Sequence, residues 1–158
     1  MTPTLATRAP RGRVAARVAL VGYLLFVGFT VWLPAAVSST VTGLVGVMAR
    51  WVAEAGIAPF QQSAVVLEIL ANVALFVPVG LLLPFAWPRL RLWQVTLAGG
   101  LLSVVIETVQ GLMPSRFPTL SDVIANTTGT FLGAVVATLL LALLSRGTDG
   151  PRDPRLAS

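Results

Sequence analysis

Apolar residues fill four long stretches of this chain, and polar residues gather between them and at both ends. The first stretch runs from Val18 to Val37. As a helix of about 20 residues it would rise roughly 30 Å, the hydrocarbon thickness of a bilayer. The second covers about 65–87, the third about 92–113 and the fourth about 122–144. Each is long and apolar enough to cross a membrane. Between the first two, Val41, Leu44, Val45, Met48, Trp51, Val52 and Ala55 recur at helical spacing, with Arg50 and Glu54 on the other side. That pattern predicts an amphipathic interfacial helix over about 41–55, although a short helix packed on the bundle would show the same periodicity. Gly56, Pro59 and the pair Gln61-Gln62 mark the turn into the second span.

The expected fold is an all-α integral membrane protein. It has four transmembrane helices in an antiparallel bundle, plus the interfacial helix in the first outer connection. Pro88-Arg89-Leu90-Arg91 is so short a connection that spans two and three are expected to be antiparallel neighbours. Pro78 predicts a kink in span two, where neighbouring groups can take up the freed carbonyl. Gly99-Gly100 and the pair Gly129 and Gly133 suit close helix approach. Residues 1–17 and 146–158 are rich in Arg, Pro and Gly and read as disordered tails of a membrane domain over 18–145. The first span lacks a clean A-x-A near Ala35-Ala36-Val37, so it is taken as uncleaved.

Composition points the same way. Of the 158 residues 56% are hydrophobic and 11% charged, where a soluble domain carries about a quarter charged. With no cysteine there are no disulfides. With no histidine, imidazole bases, Ser-His triads and the commonest metal ligand are excluded. The net charge is +5, and every basic residue is arginine. Those arginines flank the spans, which favours topology over nucleic-acid binding as their explanation. Arg8, Arg11, Arg13 and Arg17 precede span one, Arg89 and Arg91 lie in the short turn, and Arg146, Arg152 and Arg155 follow span four. The other two connections carry one each, Arg50 and Arg116. Positive-inside bias then places both termini in the cytoplasm of a multi-pass protein. The Arg, Ala, Gly, Val and Pro bias suggests a bacterial plasma membrane. No internal repeat supports an inverted-repeat transporter.

With that orientation seven polar residues fall in the outer half of the membrane. Glu68 and Asn72 share a face of span two, Glu107 and Gln110 a face of span three, and Asp122 and Asn126 a face of span four, with Arg116 in the loop between. A charged group near mid-membrane costs about 2.5–3.5 kcal/mol on insertion scales, so each needs a reason. Glu107 is a candidate site carboxylate, or a partner that fixes Arg116. Asp122 at the start of its helix is a candidate site residue, or a cap for free amides. Asn72 and Asn126 suit interhelical hydrogen bonds, and Glu68 lies near enough to the interface to be solvated. Glu68, Glu107 and Asp122 against Arg116 leave the cluster acidic, which suits a cation, an amine or a proton relay better than a phosphate head. No ligand spacing demands a metal, and no cofactor is expected.

Asn72-x3-Phe76-x-Pro78-x-Gly80, Glu107-x2-Gln110, Arg116 and Asp122-x3-Asn126-x2-Gly129 together resemble the VanZ-like family of bacterial membrane proteins, over roughly residues 65–135. The resemblance implies a small multi-span protein of the cell envelope. It also implies a link to glycopeptide susceptibility, since the founding member is associated with low-level resistance to teicoplanin. Many members carry a second acidic residue between the arginine and the aspartate, where this chain has Thr119. That departure argues against a metal held by paired loop carboxylates. Three functional readings follow. The preferred one is a non-enzymatic envelope protein that binds a membrane lipid or a lipid-linked cell-wall precursor through Glu68, Asn72, Glu107, Gln110, Arg116, Asp122 and Asn126. The alternatives are an intramembrane enzyme with Glu107 or Asp122 as acid/base, or a structural helper of another membrane protein. The lack of histidine and cysteine weighs against the enzyme.

Overall fold

The computed structural model describes residues 8–32, 35–112 and 119–146. Residues 1–7 and 147–158 of the expected tails, and Arg116 with its loop, lie outside them. The described residues form five helices: α1 (Arg8–Trp32), α2 (Ala35–Glu54), α3 (Phe60–Ala86), α4 (Leu92–Gly111) and α5 (Leu120–Arg146). Among them α1, α3, α4 and α5 are long and apolar enough to cross a membrane. The chain is thus an all-α membrane protein.

The helices are longer than the apolar runs alone suggested. α1 begins at Arg8, inside the segment expected as a tail, and arginine and alanine there are good helix formers. Arg17 fastens this end to α3. Its Nε donates to the Ala86 carbonyl at 3.3 Å, and its guanidinium lies 5.2 Å from the centre of the Trp87 ring. α2 begins at Ala35 rather than near residue 41 and ends on Gly56, whose φ of 70° suits glycine. The Gly56 amide bonds to the Ala53 carbonyl and the Ile57 amide to that of Val52, closing the last turn.

Directions follow from the contacts. Arg17 meets Ala86 and Tyr23 meets Leu75, so α1 runs against α3. Asn72 meets Asp122 near the start of both helices, so α3 and α5 run in parallel. Ser103 meets Asn126 and Gly99 meets Thr130, so α4 runs against α5. Successive spans therefore alternate in direction.

One expectation is corrected. Spans two and three, α3 and α4, touch over only a short stretch despite their tight turn, and α5 lies between them. At Thr130 the main-chain carbonyl is pressed against Gly80 of α3, while the side chain is pressed against Gly99 of α4. A short turn fixes direction and proximity at one end alone. The glycine faces decide which helices pack along their length. Any Cβ on Gly129 would strike the Val73 carbonyl, and one on Gly133 the Val77 carbonyl, so α3 and α5 meet backbone to backbone.

Pro78 leaves the Ala74 carbonyl without its amide donor, yet α3 continues to Ala86. The next carbonyl, Leu75, accepts the Tyr23 hydroxyl at 2.7 Å. Leu20, Val27, Phe76, Val79 and Ile106 form the core between α1, α3 and α4. Large apolar residues such as Leu25, Phe29, Leu101 and Leu139 are exposed, as lipid-facing residues should be.

Candidate functional site

At the end of the bundle where α3 and α5 begin, polar side chains from three helices link across the core. On α4, Ser103, Glu107 and Gln110 follow the i, i+4, i+7 rhythm of one helix face, and all three are buried. On α5 the sequence Thr119-Leu120-Ser121-Asp122 opens the helix. Thr119 is the cap: its Oγ1 accepts the Asp122 amide at 3.3 Å and the Ser121 hydroxyl at 3.1 Å. The capping role considered for Asp122 therefore belongs to Thr119, because the helix begins at Leu120 and Asp122 is its third residue.

Three ties join the helices. Asn72 Nδ2 of α3 donates to Asp122 Oδ1 at 2.7 Å. The Thr119 amide donates to Glu107 Oε2 at 2.9 Å, which places the start of α5 at the level of the α4 carboxylate. Asn126 Nδ2 donates to Ser103 Oγ at 2.8 Å, one turn further along both helices. Asn126 is 5% exposed, and its Oδ1 is buried with no hydrogen-bond donor among the described residues. An unpartnered buried carbonyl costs about 1–3 kcal/mol, so this atom asks for an explanation.

Not every candidate joins this layer. Glu68 is exposed on α3 and makes no hydrogen bond among the described residues. Gln110 is buried one turn beyond Glu107. Arg116 lies outside the described residues. Ser103 and Thr119 enter the layer although neither was a candidate. Both left a signal: Ser103 precedes Glu107 by four positions, and Thr119-x-x-Asp122 is a helix-start pattern.

Beside the layer a groove of about 380 Å³ opens between α4 and α5, lined by Val104, Glu107, Thr108, Gly111, Leu112 and Val123. Its walls are mostly apolar, and Glu107 is its charged residue. Val104 and Thr108 are exposed on the flank of α4, so the groove is open sideways, toward lipid. A larger groove, about 600 Å³, lies along Arg11, Val14, Ala15, Val18 and Ala19 of α1. It borders none of the polar layer. Chemistry resides in the smaller one.

The sequence model of the VanZ/LLP1 family matches residues 19–141, which takes in α2, α3 and α4 whole and most of α1 and α5. The chain belongs to the VanZ/LLP1 family. Each tie of the polar layer falls inside the matched region, as does the groove beside Glu107. The protein is a VanZ-like membrane protein. No curated protein and no solved structure is significantly similar to it. Its polar layer therefore has to be interpreted on its own chemistry.

Proposed function

We propose that this VanZ-like protein is a non-enzymatic component of the bacterial cell envelope that binds a lipid or a lipid-linked envelope precursor at the polar layer. One observation carries the reading: a buried carboxylate, Glu107, forms part of an otherwise apolar groove that opens sideways beside the layer. An amphiphile can enter such a groove from the bilayer without leaving it, placing its tail on Val104 and Leu112 and its head at Glu107. The arginines favour an orientation with both termini in the cytoplasm of a plasma-membrane protein, which puts the layer in the outer leaflet. There it would meet precursors that have already crossed the membrane. A contribution to glycopeptide susceptibility, the property of the family's founding member, fits that location.

The test is lipid retention and susceptibility measured on the same variants. Glu107→Gln and Arg116→Ala should fold, lose co-purifying lipid and change glycopeptide or envelope-stress sensitivity. Unchanged lipid content and sensitivity in both variants would refute the reading. Loss of a co-purifying protein partner, with lipid unaltered, would favour a structural helper. Labelling of a Ser115→Cys variant from the cytoplasm alone would reverse the orientation.

A further inference from the structure

We infer that the group bound at this layer is a hydrogen-bond donor, specifically a primary ammonium carried on a membrane amphiphile. The inference rests on the lipid-binding reading above and gives the ligand its chemistry. Consider where the layer's donors go. The Asn72 amide nitrogen serves Asp122, the Asn126 amide nitrogen serves Ser103, and the Thr119 main-chain amide serves Glu107. The acceptors are in excess. Asn126 Oδ1 is buried without a donor, within a residue that is 95% buried. Exchanging the two ends of the amide does not remove the difficulty. Ser103 has one hydroxyl proton, and the nitrogen would then be the unpartnered end.

A buried carbonyl oxygen lacking a donor is completed by an N–H or an O–H, and it repels a phosphate or carboxylate oxygen. Charge narrows the choice. Asp122 stands one helical turn from Asn126 on α5, and Glu107 one turn from Ser103 on α4, so two carboxylates flank the amide. Among donors, a cation is favoured beside two carboxylates in a low-dielectric setting. A quaternary ammonium has the charge but no N–H. A primary ammonium has three donors, enough to serve the Asn126 carbonyl and carboxylate oxygens together. Val123, one turn before Asn126, lines the groove through which such a head would arrive.

The ammonium has two plausible carriers: the head of an amino-phospholipid, or an amine on a lipid-linked precursor. One experiment addresses both. The full-length protein is placed in nanodiscs with equal parts phosphatidylethanolamine, phosphatidylcholine and phosphatidylglycerol, and retained lipids are counted by native mass spectrometry. Phosphatidylethanolamine should be enriched about tenfold over phosphatidylcholine, the size of effect one charged hydrogen bond gives. Asn126→Leu should abolish that preference. Val123→Phe fills the groove without touching the polar ties and should lower retention of every lipid. A soluble amine, glycerophosphoethanolamine, separates the carriers: competition by it at millimolar level shows that the head alone suffices and admits the precursor's amine. Failure to compete assigns the site to the intact phospholipid. Enrichment of phosphatidylglycerol or phosphatidylcholine would overturn the ammonium while leaving lipid binding intact. Retention of no lipid would overturn both. A phosphatidylethanolamine preference unchanged in Asn126→Leu would show that water, not the head group, completes the amide, and would also overturn the inference.

Discussion

Helix α5 is held in two different ways along its length. Toward its C-terminal half, Gly129, Thr130 and Gly133 lie so close to α3 that carbonyl oxygens occupy the space a Cβ would need. Toward its N-terminus, Thr119, Asp122 and Asn126 reach α3 and α4 through side chains and a cap. Both halves are well buried, but they differ in what they leave over. Backbone contact consumes all the room between helices and leaves no polar atom wanting. Side-chain ties leave a groove at Glu107 and an unpartnered carbonyl at Asn126. Tight packing is what sets the second arrangement in place, and the second arrangement is where a ligand can act.

The sharpest way to break this contrast is to enlarge the close-packed half. Gly129→Leu should cost about 3 kcal/mol or prevent folding, since a Cβ alone collides with the Val73 carbonyl and backbone cannot move aside as a side chain can. Helix content followed through a denaturing-detergent titration reads the loss. Gly28→Ala serves as control, because nothing lies within 4 Å of a Cβ there. It should be neutral, or stabilising by up to about 1 kcal/mol through helix propensity. Equal effects at the two glycines would mean that the α3–α5 contact is not a close one.

The next effect belongs to the polar half. Asn72→Leu removes the amide that donates to Asp122 and should cost about 1.5 kcal/mol, the lower range for a hydrogen bond to a charged group. Double-mutant comparison with Asp122→Asn isolates the pair: the two changes together should cost less than the sum of each. Additive costs would show that the tie contributes no energy of its own.

Much of this was visible in the chain before any coordinates. The four spans follow from the long apolar runs, and the glycine contacts from Gly99, Gly129 and Gly133 at helical spacing. Asn72 and Asp122 shared an end of the bundle because both spans enter from that side. What escaped was lateral order. The short turn between α3 and α4 suggested neighbours, whereas the placement of α5 depends on how Thr130 fits Gly80 and Gly99, a three-body fit that periodicity does not encode. Glu68 differs for a related reason. It is one turn from Asn72, yet α3 faces away from α4 and α5 at that level, so proximity in sequence did not become proximity in the site.

A smaller effect is expected at the cap. Thr119→Ala keeps the main-chain amide that serves Glu107 but loses the Oγ1 that accepts the Asp122 amide. It should cost about 1 kcal/mol, and Thr119→Ser should restore most of it. Hydrogen exchange at the first turn of α5 is the measurement that separates this local loosening from a global change. If exchange quickens along the whole helix, the cap is holding more than its own turn.

The smallest change in stability is expected at the most buried polar group. Asn126→Leu forfeits one interhelical hydrogen bond to Ser103, worth about 0.6 kcal/mol in membrane proteins. It also removes an unpartnered buried carbonyl, whose presence costs about 1–3 kcal/mol. Leucine is close to asparagine in size and apolar, so the ligand-free variant should lie within about 1 kcal/mol of wild type and can exceed it. Detergent titration in the absence of lipid is the deciding measurement. A loss near 3 kcal/mol would mean that Oδ1 is satisfied in the free protein, and the polar half would then be a structural contact of the same kind as the glycine half. Near-neutrality combined with a lost head-group preference has the opposite meaning. A side chain that costs stability in the empty protein and is missed only when lipid is present is placed there for the ligand.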